Sequence, residues 1–220
     1  MRSLSSWRRL TLIRVLSICG SPTPGSSTEI LLGAIAQAIV DNVKSDRVQR
    51  SSVQLNELDF VGCQACGESP APEFCFLDDE ARVVLRKLAQ ADCVLFGTPI
   101  FFDSVSSQAK AFIDRCCCFR PADFDTDSSD RQKVFPVRLA RRRPGAMVLI
   151  SGEQGWFEGA RRCVAGFLEW VEVVNEGVVK FVSSDHRIAG QVRDCPETLE
   201  EANRLGRHLA DILKREHAKS

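Results

Sequence analysis

The chain has 220 residues, which suits one α/β domain with an elaborated loop. Its 29 lysines and arginines balance its 29 aspartates and glutamates, so the composition does not support nucleic-acid binding. No apolar run approaches the roughly 20 residues that cross a bilayer, and we expect a cytoplasmic protein without a membrane partner. We assign residues 1–13 to an N-terminal extension and residues 14–217 to a single domain.

The first predicted elements are a strand, a loop of small residues and a helix. An apolar run over 15–19 stops at the Gly-Ser-Pro sequence of 20–22, and apolar residues then recur at helical spacing over 28–44. The first turn of a helix has N–H groups without intrahelical partners and carries a partial positive charge. The loop could therefore hold a phosphate, with added donors from the hydroxyls of Ser21, Ser26, Ser27 and Thr28.

An ordinary turn is the alternative interpretation of this loop, with its serines and threonine capping the following helix. The loop matches neither the P-loop nor the dinucleotide-binding fingerprint. The absence of a lysine argues against a triphosphate ligand.

Strands and helices alternate along the rest of the chain. A second strand lies within 47–58, and a loop rich in Cys, Gly and Pro occupies 60–77. The later elements are a helix from 78, a strand at 91–97, a helix from 104, a strand at 145–151, a helix at 156–171, a strand within 173–182 and a helix from 196. Residues 119–144 have no clear period and form a long insertion before the fourth strand.

This alternation predicts a parallel sheet with helices on both faces. Ligands of such sheets bind beyond the carboxyl ends of the strands. Three loops follow predicted strands and should therefore meet at one crevice, namely 20–28, 98–103 and 151–156.

Two segments resemble the flavodoxin-like NAD(P)H-dependent FMN reductases. The sequence G-S-P-T-P-G-S-S-T at 20–28 is similar to the G-S-P-R-x-x-S-N-T phosphate loop of that family. Residues 91–115 contain G-T-P-I-F-F and end in K-A-F-I-D-R, similar to the family's G-T-P-x-Y-x block and the helix after it. With C-x-x-C at 63–66, the iron–sulfur flavoproteins are the nearest subgroup. The resemblance implies a doubly wound sandwich with a five-stranded parallel sheet of order 2-1-3-4-5, in a homodimer or homotetramer.

The resemblance also implies which residues bind FMN. The hydroxyls of Ser21, Ser26, Ser27 and Thr28 would hold its phosphate, while the isoalloxazine ring would lie along the second loop. The other implied contacts are Thr98, Pro99, Ile100, Phe101 and Phe102 in that loop, and Ser151 and Gly152 after the fourth strand. The chain departs from the family pattern twice, because Thr23 replaces an arginine and Phe101 replaces a tyrosine. Phe101 keeps an aromatic face but lacks the hydroxyl donor.

No protein group looks like a catalytic nucleophile or acid–base pair, since the chain has three histidines and no G-x-S-x-G sequence. This fits a flavoenzyme, whose cofactor carries the chemistry. We expect NADPH or NADH to deliver a hydride to flavin N5, with a quinone, a flavin or a similar small molecule as the electron acceptor. The alternative is a flavodoxin-like electron carrier without its own NAD(P)H turnover. The neutral charge and the 119–144 insertion weigh toward the enzyme.

The ten cysteines allow a second interpretation. Cys63, Cys66 and Cys75 resemble the compact cluster motif of the iron–sulfur flavoproteins, but Phe60 takes the place of its first cysteine and the last gap is longer. A [4Fe–4S] cluster normally needs four thiolates, so a fourth would have to come from elsewhere, for example from 116–118. We favour structural thiols or a C-x-x-C redox pair and expect no metal site.

Overall fold

The fold is a parallel sheet of five strands with helices on both faces. The computed structural model describes residues 12–43, 45–122, 129–152, 155–185 and 187–218, so most of the N-terminal extension lies outside the described residues. The strands are β1 (Ile13–Cys19), β2 (Val48–Gln54), β3 (Cys93–Phe101), β4 (Ser104–Val105), β5 (Arg143–Ser151) and β6 (Val173–Val182). The parallel sheet has the order β2-β1-β3-β5-β6, which confirms the predicted order, and the short β4 pairs antiparallel with the end of β3.

The helices follow the predicted alternation. They are α1 (Ser27–Val43), α2 (Ala81–Gln90), α3 (Ser107–Arg115), the short α4 (Arg131–Val134), α5 (Glu158–Trp170) and α6 (Pro196–His217). Single turns of 3-10 helix lie at Ser45–Arg47, Leu55–Glu57, Cys116–Phe119 and Gln191–Asp194. None of the helices in the described ranges has both the length and the apolar character needed to cross a membrane.

Two helices begin later than predicted because residues before them have other partners. Asp79 was expected in the first turn of α2, but its carboxylate accepts hydrogen bonds from the Arg115 guanidinium at 2.6 and 3.1 Å. The helix therefore begins at Ala81. The third helix was expected from residue 104, but Ser104–Val105 forms β4. Ser106 then caps α3 by accepting a hydrogen bond from the Ala109 N–H.

The sheet has a hydrophobic core on each face because neighbouring residues of a strand point to opposite sides. Leu16 of β1 and Phe96 of β3 belong to the core beneath α2, α3 and α5. Val15 and Leu95, one position earlier in each strand, belong to the core beneath α1 and α6. Every residue of β5 is buried, as expected for a parallel strand that is covered on both faces.

Candidate functional site

The loop after β1 is held close to β3 and α3. The Gly20 N–H donates to the carbonyl oxygen of Gly97 at 2.8 Å, and the Ser106 hydroxyl donates to the carbonyl oxygen of Gly20 at 2.5 Å. A side chain at Gly20 would place its Cβ 2.7 Å from the Cβ of Ala109, so this close approach requires glycine. These contacts fix the loop at the carboxyl ends of the two central strands.

The serine hydroxyls of this loop are buried, and each accepts a hydrogen bond from a backbone N–H. Ser26 accepts from the Glu29 N–H at 3.3 Å, and Ser27 accepts from the Val192 N–H at 3.2 Å. A hydroxyl that accepts such a bond still has its own hydrogen to donate. Ser26 and Ser27 can therefore donate to an anion at the N-terminus of α1, whereas Ser21 accepts from the Thr23 N–H at 3.2 Å and donates to the Thr23 carbonyl oxygen at 3.4 Å.

Most of the sequence-predicted residues line one cavity of about 380 Å³, here called the strand-end cavity. Its volume lies within the usual range for small-molecule sites. The predicted residues in its wall are Ser21, Ser26, Ser27, Thr28, Pro99, Ile100, Phe101, Ser151 and Gly152. The structure thus brings together the three loops that follow β1, β3 and β5, although Glu153 and Gln154 of the third loop lie outside the described residues.

Thr98 and Phe102 do not line the strand-end cavity. Thr98 is fully buried, and its hydroxyl accepts from the Ser106 N–H at 3.1 Å and donates to the Pro99 carbonyl oxygen at 2.8 Å. Phe102 is fully exposed in the two-residue turn between β3 and β4, where Phe102 and Asp103 have φ values of 53° and 56°. Thr98 therefore joins the end of β3 to Ser106, the residue that caps α3. Contact between Phe102 and a ligand stays a prediction.

The segment after β6 completes the cavity and was missed in the sequence analysis. Ser183 and residues 187–190 lie in its wall, while His186 is outside the described residues. Arg187 brings a positive charge to the cavity and forms an ion pair with Asp185 at 2.7 Å. Ligands of parallel sheets bind beyond the carboxyl ends of the strands, and applying this rule to the fifth predicted strand as well would have found this segment.

Two further groups set the electrostatics around the loop. The Glu29 carboxylate, in the first turn of α1, accepts a hydrogen bond from the Gly25 N–H at 2.8 Å and places a negative charge beside the hydroxyls. Burial raises the pKa of the Cys19 thiol to about 11, so this thiol stays neutral near pH 7. Of the Glu29 carboxylate and the Cys19 thiol, only the carboxylate is negatively charged near pH 7, so only Glu29 disfavours the binding of an anion.

A second cavity of about 310 Å³, here called the thiol cavity, lies between the 60–77 loop and the 3-10 helix Cys116–Phe119. It contains all three predicted cluster cysteines, and its cysteine lining is Cys63, Cys66, Cys75, Cys117 and Cys118. All the cysteines are free thiols. Within the described residues, no three His, Cys, Asp or Glu side chains are close enough together, as placed, to hold a metal ion.

The 60–77 loop is attached to the body of the protein by buried polar contacts. The Arg115 side chain, 1% exposed, donates to the Val61 carbonyl oxygen at 2.8 Å and pairs with Asp79. The Ser69 hydroxyl lies 2.7 Å from the carbonyl oxygens of both Phe74 and Cys118, and its single hydrogen donates to one of them at a time. These bonds hold the loop against the 3-10 helix, and they explain why residues distant in sequence share the thiol cavity.

The run of arginines before β5 lies away from both cavities. Arg143 is buried at the amino end of β5, where its guanidinium donates to the carbonyl oxygens of Leu88 at 2.9 Å and Val171 at 2.6 Å. Arg141 pairs with Asp92, and Arg142 pairs with Glu169. These arginines therefore make structural contacts near the amino end of β5, whereas the strand-end cavity lies at the carboxyl ends of the strands.

Comparison with known proteins gives concordant matches. The family model described as NADPH-dependent FMN reductase matches residues 13–179. An iron–sulfur flavoprotein of Methanocaldococcus jannaschii is 30% identical over 208 residues, covering 92% of this chain and 98% of that protein. An iron–sulfur flavoprotein of Methanosarcina thermophila is 26% identical over 161 residues, covering 73% of this chain and 74% of the relative.

Solved structures show the same fold. An azoreductase from Bacillus anthracis superposes with a TM-score of 0.61 and 19% identity, covering 90% of this chain and 100% of that protein. At this identity the likeness concerns the fold alone.

Proposed function

Because the chain belongs to the NADPH-dependent FMN reductase family and is a flavin-dependent oxidoreductase, we propose that it uses NADPH or NADH to reduce a quinone, a flavin or a similar small acceptor. FMN bound in the strand-end cavity would accept the hydride at N5 and supply electrons to the acceptor. The protein contributes binding, orientation and the electrostatic environment.

The proposal depends on one observation, the two different kinds of lining in the strand-end cavity. One part of the wall is the N-terminus of α1 with the hydroxyls of Ser26 and Ser27, which have hydrogens left to donate. Another part is apolar and consists of Pro99, Ile100 and Phe101. A phosphate suits the first part and a planar ring suits the second, so the residues present suit FMN.

The mouth of the cavity suits a planar apolar partner. Phe101 is 48% exposed and Ile188 is 52% exposed, and both belong to the cavity wall. Such surface beside the ring site would accept a nicotinamide or a quinone. Arg187, on the same wall, would contact the phosphates of a dinucleotide, although its ion pair with Asp185 already offsets part of its charge.

The decisive experiment is reconstitution of the full chain with FMN, followed by measurement of bound flavin absorbance and of NADPH and NADH oxidation with menadione. We expect a yellow protein that turns over with at least one nucleotide. Ser27→Ala should raise the Kd for FMN about five- to tenfold, the effect of one hydrogen bond of roughly 1 kcal/mol. Ser107→Ala, an exposed serine at the start of α3, is the matched control.

Two outcomes would count against this proposal. Protein that stays colourless after reconstitution contradicts FMN binding. Protein that binds FMN but oxidises neither nucleotide favours the flavodoxin-like electron carrier instead.

A second candidate function, that of an iron–sulfur flavoprotein, is favoured by the thiol cavity. Cys63, Cys66 and Cys75 share this cavity, and thiolates are the usual ligands of iron–sulfur clusters. These cysteines supply the right donor atom, but among the described residues the side chains as placed form no metal-binding group. Iron and acid-labile sulfide analysis of anaerobically prepared protein tests this function. Protein without iron or sulfide, before and after reconstitution, contradicts it.

A further inference from the structure

We propose that Asp103, in the turn between β3 and β4, is a positioning residue for the flavin ring. Its carboxylate connects the turn to the N-terminus of α5, and this contact sets the position of Phe101 in the wall of the strand-end cavity. The inference rests on the proposed function, because it concerns the ring of the FMN that this cavity would bind.

The turn that contains Asp103 has an unfavourable backbone conformation for its sequence. Phe101 pairs with Ser104 across the antiparallel strands, so Phe102 and Asp103 form a two-residue loop. Both loop residues have positive φ values, 53° and 56°, as in the tight hairpin turns that Asn-Gly favours. Residues other than glycine keep such a conformation only where their surroundings compensate for its cost. The Phe102 side chain is fully exposed, so its packing cannot supply that compensation.

The Asp103 carboxylate makes a contact that can hold the turn. One of its oxygens accepts a hydrogen bond from the Gly159 N–H at 3.1 Å. Gly159 is the second residue of α5, where backbone N–H groups have no intrahelical partner and the helix carries a partial positive charge. Phe157, at the N-cap position of α5, makes no side-chain capping bond. Asp103 therefore provides, from another element, the contact that an N-cap side chain usually makes.

The backbone of the turn also lies directly against the first turn of α5. A Cβ atom added at Gly159 would lie 1.9 Å from the Asp103 carbonyl oxygen and 2.9 Å from one of its carboxylate oxygens. Glycine lowers the stability of a helix relative to alanine, so the space needed by the turn is a physical reason for glycine at this position. The turn thus contacts α5 through both the side chain and the backbone of Asp103.

Helix α5 is a firm support for the turn because its other face is packed in the core. Ala160 and Val164 are fully buried, and Phe167 is 3% exposed. The Phe167 ring packs against the ring of Phe96, with 5.0 Å between the centroids. Because Phe96 belongs to β3, this packing fixes α5 relative to the strand whose last residue is Phe101.

Phe101 is the residue through which the turn affects the cavity. It directly precedes the loop, is 48% exposed and lines the cavity beside Pro99 and Ile100. Without the carboxylate, the cost of the two positive φ values is no longer offset and the turn can relax. The Phe101 side chain then loses its fixed position beside the ring site, while Ser26 and Ser27 keep their own contacts at the N-terminus of α1.

The test uses the full chain reconstituted with FMN. Visible circular dichroism of the bound flavin reports the surroundings of the ring, flavin titration gives the Kd for FMN, and urea denaturation before reconstitution gives the stability. Asp103→Ala should change the circular dichroism band and raise the Kd about three- to fivefold, the effect of one hydrogen bond. Asp211→Ala, at an aspartate that pairs with Lys214 on α6, is the matched control and should change neither.

Two further variants at the same position separate the carboxylate from the backbone conformation. Asparagine keeps an oxygen for the Gly159 N–H and accepts positive φ readily, so Asp103→Asn should keep the wild-type band and Kd. Glycine accepts positive φ but has no side-chain oxygen. Asp103→Gly should therefore match Asp103→Ala in the band and the Kd, with a urea midpoint at least as high as that of Asp103→Ala.

The contact can also be disturbed from the side of α5. Gly159→Ala keeps the N–H and the carboxylate but places a Cβ atom against the turn, so it should change the circular dichroism band as well. Gly166→Ala is the matched control on the same helix, because an added Cβ has open space there among the described residues. The control should keep the wild-type band and Kd.

The outcomes distinguish failure of this inference from failure of the proposed function. A wild-type band and Kd in Asp103→Ala or Asp103→Gly would overturn the positioning role, and so would loss in Asp103→Asn or an unchanged band in Gly159→Ala. Wild-type protein that binds no FMN would contradict both the proposed function and this inference. Wild-type protein that binds FMN but oxidises neither nucleotide would contradict the reductase alone, since the band and the Kd still test Asp103.

Discussion

The hydroxyl of Ser106 donates a hydrogen bond to the carbonyl oxygen of Gly20 and accepts one from the Ala109 N–H. One buried side chain thus caps α3 and fixes the loop that carries the hydroxyls of the strand-end cavity. Stability of the fold and geometry of the candidate FMN site depend on the same atom.

Ser106→Ala should therefore affect both properties. Loss of the cap and of the partner of a buried carbonyl should lower the free energy of unfolding by about 2 kcal/mol. Because the loop is then less restrained, the Kd for FMN should rise as well. Urea denaturation and flavin titration measure the two effects, and Ser107→Ala, whose hydroxyl bonds only to Gln108 among the described residues, should change neither. Wild-type stability in Ser106→Ala would show that the cap is unimportant.

Asp79→Ala should be among the more destabilising substitutions on this face of the protein. It leaves the buried Arg115 guanidinium without its carboxylate, and breaking a buried ion pair costs about 3 kcal/mol. Asp78→Ala is the matched control, because Asp78 is 86% exposed and pairs with Arg82 at the surface. Its effect should stay below about 0.5 kcal/mol. Equal denaturation midpoints for the two variants would contradict the structural role of Asp79.

Glu29→Gln should strengthen FMN binding. The carboxylate lies at the N-terminus of α1, where it competes with an anion for positive potential, and glutamine keeps an oxygen for the Gly25 N–H. The Kd for FMN should fall about two- to fivefold at low salt, and the gain should shrink as salt screens the charge. Asp41→Asn, exposed near the other end of α1, should leave the Kd unchanged. A higher Kd in Glu29→Gln would place the phosphate elsewhere.

Stability should decline at alkaline pH because of the buried thiols. The folded-state pKa of Cys19, raised by burial to about 11, exceeds the ordinary value of 9.0, so from about pH 9 upward the unfolded chain loses this proton while the folded chain keeps it. Burial raises the pKa of Cys93 in the same direction. Urea denaturation between pH 8 and pH 10 in reductant should show a steeper decline for the wild type than for Cys19→Ala. Parallel declines would indicate that Cys19 is accessible in the folded state.

The alternation of strands and helices was sufficient to predict the parallel sheet and most of the strand-end cavity, while the order of the strands came from the family resemblance. Buried parallel strands give continuous apolar runs, and the small residues after Cys19 and Gly97 mark where these strands end. It was insufficient at the Phe102–Asp103 turn, where two non-glycine residues adopt positive φ without the Asn-Gly signature of such turns. The partners of Asp79 and the convergence of Cys63 with Cys117 depend on long-range packing, which local sequence patterns do not encode.

The helix α3 has a different end at each cavity. It begins beside Gly20 at the strand-end cavity, and it ends at Arg115, in the wall of the thiol cavity. A nine-residue helix is about 14 Å long, so α3 spans the distance between the two cavities. If FMN binding shifts α3, the reactivity of Cys117 should change with it, and thermodynamic reciprocity then requires that occupancy of the thiol cavity alter FMN affinity by the same factor.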